Sequence, residues 1–129
     1  MLLSRSMNAA TSKPNDLEKR LITFASTILR LSSKLPKTAQ GRHLCNQILR
    51  SGTAAAANYG EARGAESRAD FIHKLKIAFK ELNETTIWLE VIAQSGTLSS
   101  DEIVAIVAEN RELCRILAAS IKTARSAGE

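Results

Sequence analysis

The sequence contains few aromatic residues and few of the residues that interrupt helices. Phe, Tyr and Trp make up 4% of the 129 residues, and there are only two prolines and six glycines. So few aromatic rings argue against reading single-stranded nucleic acid by base stacking, which needs several exposed rings. The scarcity of Pro and Gly, together with abundant Ala and Leu, favours helices over turn-rich structure.

Cysteines and long apolar runs are scarce as well. Cys45 and Cys114 lie at or beside apolar helix positions, so we interpret them as buried free thiols of a reducing compartment. No apolar run approaches membrane-spanning length, and the apolar residues 1–3 are too few for a signal peptide. We therefore expect a cytoplasmic protein with no membrane partner, whose start is either Met1 or Met7.

Apolar residues recur at alternating spacings of four and three along most of the chain, which is typical of helices with one buried stripe. The longest stripe comprises Phe71, Leu75, Ala78, Leu82, Thr85, Leu89 and Ile92. The same spacing predicts helices over residues 16–35, 38–62, 67–94 and 100–125. Four helices with short connections predict an all-α fold, an antiparallel up-down four-helix bundle over residues 15–125.

The predicted helix ends rest on capping residues. Ser67 precedes Asp70 by three residues, and Ser99 precedes Glu102 by three, which is the capping-box pattern. Asn15 is the predicted cap of the first helix, and Pro36 is expected to end it. Residues 1–14 lack periodicity, so we expect a flexible tail that ends at Pro14.

The second helix contains an unusual run of small residues, Ser51 to Ala57. Gly52 inside a helix costs roughly 0.5–1 kcal/mol relative to alanine. Small side chains there allow another backbone to approach closely, either inside the bundle or between subunits. A phosphate-binding loop is the least favoured interpretation, because no Gly-Lys-Ser/Thr motif is present.

The third helix carries a second apolar patch nearly opposite its main stripe. Ile77 and Trp88 lie within roughly 20° of each other on a helical wheel. Trp is enriched at protein interfaces, so we predict an oligomer interface on this side. The alternative is that both are isolated surface residues, which are common. The interface candidates are Ile77, Glu81, Glu84 and Trp88.

The formal net charge of +5 is unevenly distributed. Residues 1–66 contain ten Lys or Arg and four Asp or Glu, a net +6, whereas residues 67–129 contain eight and nine, a net −1. This asymmetry permits a basic face that contacts phosphates. The candidates are Arg42, Arg50, Arg63, Arg68, Lys74, Lys76 and Lys80. Each is also compatible with a solvated charge, and Arg50 and Arg63 with an ion pair to Glu61 or Glu66.

Motifs for catalysis are weak. Asp70-x-x-His73 occurs once, whereas a di-iron bundle needs two Glu-x-x-His pairs. Glu81 and Glu84 resemble the Glu-x-x-Glu of all-helical nucleoside triphosphate pyrophosphatases, with Glu109 and Glu112 as further magnesium ligands. However, Lys80 precedes Glu84 by four residues, which favours ordinary ion pairing. We therefore predict a non-enzyme with no catalytic, cofactor or metal residue, and rank the pyrophosphatase third among the possible functions.

The middle of the chain resembles a known family. The resemblance is carried by Arg50-Ser51-Gly52-Thr53, Ala57-Asn58-Tyr59-Gly60-Glu61-Ala62-Arg63, Ala65-Glu66-Ser67-Arg68-Ala69-Asp70-Phe71-Ile72-His73-Lys74-Leu75-Lys76-Ile77-Ala78 and Lys80-Glu81-Leu82-Asn83-Glu84-Thr85. These residues look like the 23S rRNA intervening-sequence proteins, and the similarity extends from about Asp16 to Leu117.

This resemblance implies an antiparallel four-helix bundle that assembles as a ring-shaped homopentamer, with no established catalytic activity. A related branch contains accessory proteins of diversity-generating retroelements, whose basic pentamers bind nucleic acid and a reverse transcriptase. The resemblance thus implies RNA or DNA as partners. The alternative is a structural or protein-interaction scaffold with an unknown protein partner and no nucleic-acid binding.

Overall fold

The computed structural model describes the backbone of residues 2–127 and the side chains of residues 13–127. The fold is all-α, and this part of the chain contains no strand. The four helices are α1 (Leu2–Ser32), α2 (Ala39–Arg63), α3 (Arg68–Gln94) and α4 (Ser100–Ala127). Each of α2, α3 and α4 begins and ends within two residues of its predicted bounds.

The first helix differs from the prediction at both ends. It begins at Leu2 rather than near residue 16, includes Pro14, and ends at Ser32 rather than residue 35. The predicted boundary at Pro14 was therefore wrong. A proline removes one backbone hydrogen-bond donor, but here the helix continues on both sides of it. Asn15 lies inside α1, where it does not cap a helix. Flexibility of residues 1–14 stays a prediction.

The core is built from one stripe of each helix. Leu21 and Ile28 of α1, Ile48 of α2 and Leu82 of α3 are all 1% exposed or less, and Leu117 of α4 is 0% exposed. The alternating four-three spacing predicts a stripe on α4 that includes Val107 and Cys114. In the structure these two residues are only half-buried, and Leu113, outside that stripe, is fully buried.

Each helix contacts its neighbours in the chain, and α4 also packs against α1 over a smaller area. Within the described residues α1 does not contact α3, and α2 does not contact α4, so these pairs lie on diagonals of the bundle. Thr38 caps α2 by accepting from the Gly41 amide at 3.1 Å. Ser67 caps α3 by accepting from the Asp70 amide, also at 3.1 Å.

Small and polar side chains lie inside the bundle where helices approach closely. Gly52 of α2 faces Ile28 of α1, and an added Cβ would lie 2.8 Å from two carbons of that side chain. The Thr85 hydroxyl of α3 donates to the Ser51 hydroxyl of α2 at 2.9 Å, and both residues are fully buried. Ser51 and Gly52 of the small-residue run therefore pack within one chain, whereas Ala57 is exposed and contact of the run with a second copy stays a prediction. None of the described helices is both long enough and apolar enough to span a membrane.

Candidate nucleic-acid interface

Three of the seven basic candidates are held by carboxylates of the same chain. Arg50 Nη1 of α2 donates to Glu81 Oε2 of α3 at 2.9 Å, and its other terminal nitrogen pairs with Glu84. Arg63 donates to Glu18 of α1 at 2.7 Å. Lys74 lies 3.7 Å from Glu61. These ion pairs tie neighbouring helices together, and they lower the net charge that these three cations offer to a phosphate.

The ion-pair partners differ from those the sequence suggested. Arg50 does not pair with Glu61 or Glu66, because Glu81 and Glu84 present a pair of carboxylates across the α2–α3 contact. Arg63 reaches Glu18 on the other neighbouring helix. Both arginines thus form ion pairs, but the predicted partners Glu61 and Glu66 were wrong.

The other four candidates have no carboxylate partner among the described side chains. Arg68, Lys76 and Lys80 of α3 are exposed and form no ion pair there. Arg42 of α2 is also exposed, and its guanidinium donates to the Lys37 carbonyl at 2.8 Å. These four side chains keep their full positive charge for an external partner.

The packing of α4 on α3 brings further cations to the same surface. Cys114 of α4 donates weakly to Asn83 Oδ1 of α3, with 3.6 Å between the heavy atoms, and Arg111 Nη2 lies 3.5 Å from Glu90 Oε1. These contacts define the register of α4 on α3 and show which sides of the two helices face each other.

Helical spacing then places the remaining residues on that surface. Lys76 precedes Asn83 by seven residues, about two turns, so it lies on the α4-facing side of α3. Lys122 follows Arg111, and Arg125 follows Cys114, by eleven residues, about three turns, so both lie on the α3-facing side of α4. Arg68 and Ala124 line one shallow cavity, which places the start of α3 beside the end of α4. Lys80 follows Lys76 by four residues, about one turn, and is exposed. We name this group the basic α3–α4 surface: Arg68, Lys76, Lys80, Lys122 and Arg125.

Sequence reasoning did not identify Lys122 and Arg125. The eleven-residue spacing was visible in the sequence. What was missing was the register of α4 against α3, which depends on contacts such as that between Arg111 and Glu90. Both side chains are exposed, and neither forms an ion pair within residues 13–127.

The predicted oligomer-interface residues lie next to α2 of their own chain. Trp88 is half-buried, its Nε1 donates to Glu84 at 3.0 Å, and its ring meets that of His43 edge-on with 5.7 Å between centroids. Ile77 is half-buried on the same helix, and Glu81 and Glu84 both accept from Arg50. The apolar patch behind the main stripe is thus partly covered by α2, and its contact with a second copy stays a prediction.

The carboxylates considered for a magnesium site each have a cationic partner. Besides the pairing of Glu81 and Glu84 with Arg50, Glu109 accepts two hydrogen bonds from Arg20 at 2.7 and 3.1 Å. These bonds raise the pKa of Arg20 above its ordinary value. Glu112 accepts from Arg115 at 3.1 Å. Within the described part of the chain, no three His, Cys, Asp or Glu side chains cluster as metal ligands would.

An open, mostly apolar cleft of about 630 Å³ lies between α1 and the end of α4. Its walls include Leu17, Phe71 and Ile116, and the Tyr59 side chain lines it. Burial raises the pKa of Tyr59, so its hydroxyl is a neutral donor at physiological pH.

The chain is similar to known proteins in sequence and in fold. A model of the family described as 23S rRNA-intervening sequence protein matches residues 13–119. The chain is also similar to a solved crystal structure from Bacteroides thetaiotaomicron VPI-5482, described as a protein with unknown function from the S23 ribosomal protein family. The two are 38% identical with a TM-score of 0.80, over 85% of this chain and 98% of the other. No curated protein matches the chain.

Proposed function

This chain belongs to the 23S rRNA-intervening sequence protein family, and we propose that it is a non-enzymatic, oligomeric protein that binds RNA or DNA. The basic α3–α4 surface is the proposed contact with phosphates. The strongest support for this proposal is that many Lys and Arg side chains form no ion pair within the chain, so they carry its net positive charge.

Among the charged side chains of residues 13–127, unpaired cations outnumber unpaired carboxylates. Ten Lys or Arg side chains form no ion pair within that range: Lys13, Lys19, Arg30, Lys37, Arg42, Arg68, Lys76, Lys80, Lys122 and Arg125. Only four carboxylates are similarly unpaired: Asp16, Glu66, Asp70 and Asp101. Because paired charges largely cancel, a polyanion meets an excess of unpaired cations.

We further propose that the helices form an antiparallel up-down bundle which assembles as a ring-shaped homopentamer. The opposite direction of α2 and α3 is supported by two ion pairs between them. Arg50 of α2 meets Glu84 of α3, whereas Glu61, later in α2, meets Lys74, earlier in α3. Five copies would pool a formal charge of roughly +25, and long-range attraction to a polyanion rises with total charge.

Binding of labelled mixed-sequence RNA and DNA, followed by fluorescence anisotropy at several salt concentrations, tests the proposal. Wild-type affinity should fall steeply as salt rises, because bound phosphates release counterions. The variant Lys76→Gln/Lys122→Gln removes two charges from the proposed surface. The matched control Lys19→Gln/Lys37→Gln removes two unpaired charges elsewhere.

The two variants distinguish the loss of specific phosphate contacts from a general loss of positive charge. We expect the surface variant to reduce the slope of log affinity against log salt by about one or more, since each lost phosphate contact contributes about 0.7–0.9. The control should leave most of the slope unchanged. Equal losses in both variants would contradict the location of the site, and no binding at low salt would contradict nucleic-acid binding altogether.

A protein-interaction scaffold is the second candidate function, favoured by the exposed apolar side chains of α1, α3 and α4. Ile22, Leu29, Ile87 and Val104 are each more than half exposed. Such residues on the surface of a small domain mark contacts with other proteins when they cluster. The pyrophosphatase, in contrast, gains no support, because its four carboxylates are each paired with an arginine.

A further inference from the structure

The cations of the basic α3–α4 surface form two rows, one on each helix. Two contacts between the helices show how these rows are aligned. Asn83 of α3 meets Cys114 of α4, whereas Glu90, later in α3, meets Arg111, earlier in α4. The two helices therefore run in opposite chain directions along this surface. We name the rows the α3 row (Arg68, Lys76 and Lys80) and the α4 row (Lys122 and Arg125).

Lys76 and Lys122 lie level with each other, one in each row. Lys76 precedes Asn83 by seven residues, and Lys122 follows Cys114 by eight. Because the helices run in opposite directions, both steps lead toward the same end of the two helices, over about 10 and 12 Å. The axes of packed helices are about 8–10 Å apart, so the two rows are separated by roughly 10 Å.

The α3 row is limited at both ends. At its start, Glu66 lines the same shallow cavity as Arg68, and its carboxylate offsets part of the positive charge there. Beyond Lys80, the same side of α3 carries the exposed apolar residues Ile87 and Val91, which follow Lys80 by seven and eleven residues. From Arg68 to Lys80 the row covers about 18 Å, which is the rise of about five base pairs.

We propose that the basic α3–α4 surface binds double-stranded nucleic acid, with the α3 row on the phosphates of one strand and the α4 row on those of the other, across one groove. This inference rests on the binding of RNA or DNA proposed above, and it names the form of nucleic acid that fits the surface. The grooves of B-DNA are about 6 and 12 Å wide. Two rows of cations roughly 10 Å apart can reach the phosphates on both sides of such a groove.

A single strand fits the two rows less well. Its phosphates lie on one flexible chain, so binding to both rows costs conformational entropy that a preformed duplex does not lose. A duplex also presents one negative charge per about 1.7 Å of its axis, twice the charge density of one of its strands. The same cations therefore contact more phosphates on a duplex.

The aromatic residues of the chain do not form a stacking platform for unpaired bases. All five lie within the described residues and none is exposed: Phe24, Tyr59, Phe71, Phe79 and Trp88. Of these, Phe71 lines the shallow cavity beside Arg68, where it is half-buried. Proteins that hold single strands without sequence preference stack successive bases on several rings. One half-buried ring does not provide this, which favours a duplex as the partner.

Binding to matched single-stranded and double-stranded RNA tests the assignment. A labelled strand of about 20 nucleotides, with a sequence that forms no hairpin, is compared by fluorescence anisotropy with its duplex, which is about four times as long as the proposed contact. At one moderate salt concentration, and per mole of phosphate, the duplex should bind about tenfold more tightly or better. Its affinity should also fall more steeply as salt rises, because more counterions are released.

Two variants show whether the two rows cause this preference. Lys76→Gln/Lys122→Gln removes one of two level charges from each row, whereas the control Lys19→Gln/Lys37→Gln removes the same charge elsewhere. All four side chains are exposed, so the fold should tolerate the changes, which circular dichroism melting checks. The surface variant should lose most of the preference for the duplex, and the control should retain it.

Three outcomes would overturn the duplex contact. Equal or tighter binding of the single strand contradicts it, while leaving the binding of RNA or DNA intact. A preference for the duplex that remains in the surface variant shows that the two rows do not cause it. Equal loss of the preference in both variants attributes it to net charge rather than to the rows. Absence of binding to either form, even at low salt, would instead contradict the proposed function itself.

Discussion

Asn110 is the most constrained polar residue of the core. It is 0% exposed, and its amide nitrogen donates to the Leu82 carbonyl at 3.0 Å and to the Thr86 hydroxyl at 2.6 Å. Its Oδ1 atom is buried and has no hydrogen-bond partner. The side chain thus joins α4 to α3 with its donors, while its acceptor contributes a desolvation cost that offsets part of that gain.

We predict that Asn110→Asp is far more destabilising than Asn110→Leu. The aspartate would place a negative charge against a carbonyl oxygen without a donor, which costs about 3 kcal/mol or more. The leucine removes the unpaired acceptor together with the two hydrogen bonds, so its effect on the free energy of unfolding should be smaller. Urea unfolding at pH 7 measures both. Equal effects would contradict the assigned hydrogen-bond geometry.

Cys114 should react slowly in the folded protein. Burial raises the pKa of its thiol, and the neighbouring charge of Arg115 only partly opposes this. A raised pKa means less thiolate at a given pH, and the thiolate is the reactive species. In the variant Cys45→Ala, iodoacetamide at pH 8 should modify Cys114 more slowly in native buffer than in urea. Equal rates would contradict the shielding of this thiol.

The close packing of α2 against α1 depends on a particular glycine. An added Cβ at Gly52 would lie 2.8 Å from Ile28 Cγ1 and Cγ2, whereas at Gly60 the nearest atom would be 3.8 Å away. Both glycines lie within α2, so both substitutions to alanine gain the same helix propensity. The two positions therefore isolate the cost of steric contact between α1 and α2.

We predict opposite effects for the two substitutions. Gly60→Ala should stabilise the protein by about 0.5–1 kcal/mol, the usual gain of alanine over glycine in a helix. Gly52→Ala should destabilise it by roughly 1–2 kcal/mol, because the cost of overpacking exceeds that gain. Thermal unfolding followed by circular dichroism compares them. Stabilisation by Gly52→Ala would show that Ile28 moves aside at little cost.

The sequence predicted the stripes within helices better than the contacts between them. Spacing in α3 correctly placed Leu75, Leu82 and Leu89 in the core, because burial along one helix follows from its own periodicity. The partners of Arg50 were missed, since they depend on how α2 and α3 are aligned along their lengths. That alignment results from packing of many side chains, such as Ser51 against Thr85, and no local pattern encodes it.

The same limit applies to the candidate site. Lys76 and Lys80 could be identified from charge alone, whereas grouping Lys76 with Lys122 required the register of α4 on α3. The start of α1 was missed for a different reason: Pro14 was taken as a boundary, and a single proline does not always end a helix.

Exposed apolar residues and unpaired cations lie in different halves of α3. Lys76 and Lys80 lie in the first half of this helix, and Ile87 and Val91 in the second half. One helix therefore serves two proposed contacts, one with phosphates and one with a second copy. Trp88 lies beside the apolar half and is half-buried against α2.

We predict that Trp88→Ala reduces assembly of the protein. Loss of the indole removes the apolar surface next to Ile87 and Val91, together with the hydrogen bond from Trp88 Nε1 to Glu84. Aromatic residues of this kind dominate the stability of many interfaces. The assembled fraction, measured by sedimentation velocity across a dilution series, should fall relative to wild type.

The control for this prediction is His43→Ala, which removes the edge-on contact with Trp88 but leaves the indole in place. If the indole itself stabilises the contact between copies, His43→Ala should retain most of the assembly that Trp88→Ala loses. Equal losses in both variants would mean that the α2–α3 junction, rather than contact with the indole, controls assembly. An unchanged solution mass for Trp88→Ala, with an unchanged melting temperature, would remove Trp88 from the interface.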